Sequence, residues 1–74
     1  MKKTEILIYI GTKIKEHRLQ QNLSQEKLAE LTDLHRTYIG MIERAEKNIT
    51  ISTLEKITKV LNIKLKDLFN DSKS

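Results

Sequence analysis

The sequence predicts an all-α domain of five short helices, and three observations carry that expectation. Apolar residues recur at helical spacing along the chain, while strand-like alternation is weak throughout. Three helical runs end in Asn or Asp followed by an apolar residue: Asn22-Leu23, Asp33-Leu34 and Asn62-Ile63. The 74 residues include no Pro to interrupt a helix and no Cys to staple a loop-rich fold. Asn and Asp tolerate the left-handed backbone that closes a helix, and the apolar residue that follows turns back onto the core.

The elements follow in order. Ile6, Ile10 and Ile14 fall at i, i+4 and i+8 with Leu7 beside them, which predicts a first helix from about Glu5 to Gln21. Ser24 caps a second helix whose Glu26 suits the positive end of its dipole, and Leu28, Ala29 and Leu31 are expected to point inward. A turn centred on Asp33 leads to a third helix with Ile39 and Ile42 inward and Arg36, Thr37, Tyr38 and Met41 outward. Ser52 and Glu55 spell an S-x-x-E capping box for a fourth helix marked by Leu54, Ile57, Val60 and Leu61. Leu65, Leu68 and Phe69 mark a short fifth. One domain over 1–74 is expected, with an ordered core at about 5–70 and frayed ends at Met1 to Thr4 and Asp71 to Ser74.

Composition narrows the function. Ten Leu and ten Ile against three aromatic residues imply one small, aliphatic core. Without Cys there are neither disulfides nor thiolate metal sites, which fits a reducing interior. The expected location is therefore the cytoplasm. Neither a signal peptide nor an apolar run long enough to span a membrane is visible. His17 and His35 lack partners at metal-ligand spacing, so no metal and no cofactor is expected. Paired carboxylates in an evident cleft and a Gly-rich phosphate loop are missing, which argues against an enzyme. A net charge of +4 and a pI near 9.5 favour a polyanionic partner.

Two short helices joined tightly over Ser24 to Glu43 have the layout of a helix-turn-helix, whose second helix fits the major groove of DNA. Arg36, in its first turn, can grip O6 and N7 of guanine, a pairing worth about 1–3 kcal/mol of discrimination. Thr37 can touch a base edge, a thymine methyl or a phosphate, and Met41 can add only apolar contact. Ser24 and Gln25 begin the second helix, where amides and hydroxyls meet phosphate. Arg44, Lys47, Asn48 and Thr50 fall in the loop after the third helix as phosphate contacts. His35 occupies a capping position and either caps through its imidazole or meets a phosphate. Tyr38 either reaches the DNA backbone through its hydroxyl or shields the turn. Leu65, Leu68 and Phe69 are a candidate dimer seam, with Leu68 more internal and the Ile6 to Ile10 run covering the same region.

Ile14-x-x-x-Arg18, Leu23-Ser24-Gln25-x-x-Leu28-Ala29, Tyr38-Ile39-x-x-Ile42-Glu43-Arg44 and Leu54-x-x-Ile57-x-x-x-Leu61 together resemble the Cro/C1-type (XRE) DNA-binding domain. The resemblance runs from about Ile10 to Phe69 and implies the compact lambda-repressor-like fold, with the helix-turn-helix at helices two and three. Leu34-His35-Arg36-Thr37-Tyr38-Ile39-Gly40, then Ile42-Glu43-Arg44 and Lys47-Asn48-Ile49-Thr50, is similar to the controller proteins of restriction–modification systems. That implies a homodimer on a near-palindromic operator, acting on its own promoter and an endonuclease gene, with RNA polymerase as a further partner. Glu46 is the acidic residue placed for that contact. The resemblance also implies a structural ion pair between Arg18 and Glu43. A phage-type repressor or an antitoxin is the alternative on the same fold, weakened by the short chain after the fifth helix. A protein-binding module without DNA is the rival from another class.

Overall fold

The computed structural model describes residues 3–69, with side chains from residue 5 onward, and among these every regular element is a helix. The helices are α1 (Lys3–Gln20), α2 (Gln25–Thr32), α3 (Arg36–Glu43), α4 (Ile51–Val60) and α5 (Leu65–Leu68). Of the two expected frayed ends, residues 1, 2 and 71–74 lie outside the described residues, as does residue 70. Lys3 and Thr4 are already helical, so α1 begins two residues earlier than its apolar spacing suggested.

Asn22, Asp33 and Asn62 all adopt left-handed backbone, at φ 59° in each case. The amide of the next residue closes the turn on a carbonyl five back: Leu23 on Arg18 at 3.1 Å, Leu34 on Ala29 at 2.9 Å and Ile63 on Thr58 at 2.9 Å. Leu23, Leu34 and Ile63 pack against the core. A fourth closure of the same kind ends α3. Ala45 takes φ 60° there, and the Glu46 amide donates to Met41 O at 2.8 Å. Alanine gains nothing from that conformation, since its Cβ crowds the carbonyl, and Glu46 has no apolar surface to return to the core.

The caps divide into those expected and one displaced. Ser24 accepts from the Lys27 amide and caps α2, with Glu26 in the first turn. The S-x-x-E box is not used. Thr50 is the cap of α4, accepting from the Thr53 amide, and Ser52 already lies inside the helix. Thr50 starts the helix two residues earlier and bonds both the Thr53 hydroxyl at 2.9 Å and that of Ser52 at 3.2 Å. A cap of this sort contributes about 1 kcal/mol.

The core is aliphatic. Ile10, Ile14, Leu28, Ala29, Ile39, Ile42, Leu54, Ile57, Leu61 and Leu68 form one buried cluster, and each fully buried Leu or Ile stabilises by about 1.5–3 kcal/mol. Two expectations are corrected here. Leu31 is 47% exposed, and Thr32 takes the inward place on α2. Thr32 can do so because its hydroxyl donates to Leu28 O at 2.8 Å and also reaches Ala29 O, leaving no unmet polar group. Leu68 is fully buried, so it belongs to the core of one chain and not to a dimer seam. The four-residue α5 can bury only one side, and Leu68 is the residue that fills it.

Candidate nucleic-acid interface

The helix pair is fixed from beneath by α1. A Cβ on Gly11 would sit 2.5 Å from Ile42 O and 2.8 Å from Glu43 O, so the last turn of α3 rests directly on the α1 backbone. Next to that contact Arg18 meets Glu43 in a two-point pair, Nε to Oε2 at 2.7 Å and Nη2 to Oε1 at 3.0 Å. Their side chains are only 8% and 2% exposed. The remaining guanidinium nitrogen, Nη1, donates to Leu23 O at 2.7 Å. Gln25, the first residue of α2, donates from Nε2 to Glu43 Oε1 at 3.1 Å. One carboxylate thus ties α1, α2 and α3 together, and no buried polar side-chain atom among the described residues lacks a partner.

Above this layer the α2–α3 surface is open. A depression of ≈ 490 Å³ is lined by Ser24, Gln25, Glu26, Arg36, Thr37, Gly40 and Arg44. Gly40 keeps it clear: a Cβ there would fall 2.9 Å from Arg44 Nη1 and 3.5 Å from Gln25 Oε1. Arg36 and Thr37 are exposed at the start of α3, while Met41 and Tyr38 are half-buried. Tyr38 packs against the core cluster, so its ring covers the turn rather than standing wholly outward.

His35 caps α3. Its Nδ1 accepts from the Thr37 amide at 3.1 Å. A neutral imidazole that accepts at Nδ1 carries its proton on Nε2, so the ring's far side is a donor.

Two exposed ion pairs flank the depression. Arg36 Nη1 donates to Glu26 Oε2 at 2.6 Å. Arg44 forms a two-point pair with Glu46, Nε to Oε2 at 3.0 Å and Nη2 to Oε1 at 3.1 Å. The hydrogen bond from Arg44 holds the Glu46 carboxyl below its ordinary range, and the same bond raises the guanidinium. Lys47 and Asn48 are exposed in the loop beyond. Thr50 is placed with them, but its hydroxyl is committed to capping α4, so it orients the loop's end and is not a free donor to phosphate.

The proposed seam lies elsewhere, at α5. Phe69 is 44% exposed and its ring stacks on Tyr9, with centroids 6.0 Å apart. The Tyr9 hydroxyl donates to Leu68 O at 3.0 Å, and Lys13 Nζ lies 5.6 Å from the Tyr9 centroid. Leu65 is half-buried and packs on the core.

Sequence reasoning overlooked four contributors here. Glu26 was legible only as a dipole partner, since nothing in the chain shows that a residue ten positions from Arg36 will reach it. Gly11 and Gly40 were overlooked because a glycine inside a helix does not announce which neighbour it admits. Tyr9 was hidden inside the apolar Ile6 to Ile10 run.

A helix-turn-helix family model matches residues 14–68. The control protein C.BamHI of Bacillus amyloliquefaciens is 47% identical over 66 residues, spanning 88% of this chain and 82% of that protein. The crystal structure of the restriction–modification controller protein C.AhdI from Aeromonas hydrophila is similar at a TM-score of 0.84 and 35% identity, over 88% of this chain and 98% of that one. The structure of the controller protein C.Esp1396I, solved as a tetramer in complex with its natural 35 base-pair operator, is similar at a TM-score of 0.79 and 41% identity, over 85% and 83%.

Proposed function

The chain belongs to the helix-turn-helix family, and from that premise we propose that it is a sequence-specific transcriptional regulator of the restriction–modification controller kind, bound to DNA as a homodimer. The observation that carries this reading is the contrast across α3. Its inner face is clamped by the Arg18–Glu43–Gln25 network, while Arg36 and Thr37 stand exposed at its first turn. A helix held this rigidly presents its first-turn side chains at a fixed angle, as base reading in the major groove requires.

Arg36 reads a guanine, Thr37 a neighbouring base edge, and Met41 adds apolar contact further along. Ser24, Gln25 and the Nε2 donor of His35 meet phosphate on one side of the groove. Arg44, Lys47 and Asn48 meet it on the other. Tyr38 supports the turn and lends its hydroxyl to the backbone. Leu65 and Phe69, with Tyr9 beneath, form the dimer seam, so two copies of α3 read half-sites about one helical turn apart. The chain acts in the cytoplasm on its own promoter and that of an endonuclease gene. Glu46, the acidic residue of the loop after α3, is assigned to RNA polymerase contact, and the chain has no catalytic role.

The test is a selection from random duplex DNA at about 150 mM salt. The reading predicts a near-palindromic motif with two equivalent half-sites. Weak, steeply salt-dependent binding with no enriched motif would overturn it in favour of a protein-binding module.

A further inference from the structure

Arg36 is the base-reading residue on the account above, yet the first-turn carboxylate of α2 already holds it. Arg36 Nη1 and Glu26 Oε2 are 2.6 Å apart, across ten residues of chain, with both side chains lining the depression. Among the described residues, the Nε and Nη2 donors of Arg36 make no hydrogen bond. We propose that Glu26 is a positioning residue for Arg36: its carboxylate holds Nη1 and leaves the Nε–Nη2 edge to read guanine, so Glu26 sets how sharply that base pair is discriminated. The inference rests on the reading of α3 as the DNA-reading helix.

The chemistry favours this role over a purely local one. A guanidinium 68% exposed on a flexible stem takes the nearest anion, and on duplex DNA the nearest anion is a phosphate of any sequence. Committing one donor to Glu26 restricts the plane of the group and leaves two parallel N–H donors on a single edge. Guanine offers two acceptors, O6 and N7, to that edge, whereas adenine offers N7 and a donor at N6. The wrong base leaves one donor facing another, and the Nε–Nη2 edge loses its two-point contact.

Glu26 also stands beside Ser24 and Gln25, where phosphate is expected, so its charge weakens binding to every duplex alike. A carboxylate serving only the α2 dipole would carry that same repulsion with no return in specificity. Held against Arg36, it exchanges general affinity for selectivity.

Fluorescence anisotropy tests this with four proteins: wild type, Glu26→Gln, Arg36→Ala and the double variant. Each is titrated at about 150 mM salt against the duplex that wild type selects, the same duplex with the guanine pair swapped in both half-sites, and a random duplex. Thermal melts establish that every variant is folded. Glu26→Gln is expected to tighten binding to the random duplex and to reduce the preference for the guanine pair by about tenfold, a share of what a two-point contact to guanine carries. In the Arg36→Ala background the same change is expected to leave the base preference where it was. An unchanged preference in Glu26→Gln overturns the inference, as does an equal change in the Arg36→Ala background, which would make Glu26 act without Arg36. If wild type itself shows no preference among duplexes, the regulator reading fails, and the inference with it.

Discussion

The two faces of α3 use the same chemistry to opposite ends. On the inner face Arg18 and Glu43 form a two-point pair whose side chains are 8% and 2% exposed. On the outer face Arg36 meets Glu26, and Arg44 meets Glu46, in water. The distances do not separate them, since the three pairs are closest at 2.7, 2.6 and 3.0 Å. Burial separates them. A pair out of water cannot lose one partner without stranding the other's charge, so the inner pair is structural. A pair in water contributes little to stability, so the outer pairs can serve recognition without weakening the scaffold.

The largest effect lies on the inner face. Glu43→Ala leaves Arg18 buried without its carboxylate and should cost about 3–5 kcal/mol. That is a large share of what a domain this size holds, and urea or thermal unfolding would show it. The double change Arg18→Met with Glu43→Leu sharpens the point: it should recover most of the loss, because removing both charges removes the stranded one. Recovery by Arg18→Met alone, with Glu43 intact, would break the comparison.

Gly11→Ala comes next. The new Cβ meets backbone carbonyls of Ile42 and Glu43, which cannot rotate aside as a side chain would. Alanine gains about 1 kcal/mol of helix propensity, but the overpacking should exceed it and leave a net loss of roughly 1–2 kcal/mol by chemical denaturation. A neutral or stabilising result would mean that α1 and α3 are not seated this closely.

At the junction of the two faces, Ala45→Gly should stabilise by about 0.5–1 kcal/mol. Glycine removes the left-handed crowding at φ 60° and loses some of that gain to chain entropy. The same denaturation curves report it.

The smallest effect belongs to the outer face. Arg44 holds the Glu46 carboxyl below its ordinary range, chiefly through their hydrogen bond. A folded-state value lowered in this way gives a contribution that is present above the unfolded carboxylate range and lost as pH falls through the lowered value. Side-chain NMR should find Glu46 titrating low in wild type and returning upward in Arg44→Ala. Because the pair is exposed to solvent, the melting temperature should barely follow that titration. A melting curve that tracked it would place the pair with the structural ones.

How much of this was legible in the chain depends on what each residue type can announce. Asn22, Asp33 and Asn62 announce a left-handed turn, since few other residues tolerate one, and all three turns stand where the sequence places them. Ala45 adopts the same conformation with no such chemistry, so nothing in its identity points there. Ile10, Ile14, Leu54, Ile57 and Leu61 form the core that their spacing implies. Leu31 misled because an eight-residue helix leaves its inward arc ambiguous by one position, and the self-satisfied hydroxyl of Thr32 settled it. Thr50 and Ser52 are both competent caps, and only the tertiary path decides which residue stands at the boundary. The surface pairs of Glu26 and Glu46 were illegible for a simpler reason: pairing in water is set by the folded positions of two flexible side chains and leaves no periodic trace.

The most direct test of the central claim joins the two faces in one variant. Arg36→Ala is measured for melting temperature and for affinity to the duplex that wild type selects. The account predicts a melting temperature within about 3 °C of wild type and an affinity reduced at least tenfold on that duplex, with a smaller loss on random DNA. A variant that melts far below wild type would make Arg36 part of the scaffold. One that binds the selected duplex unchanged would remove α3 from the reading of DNA.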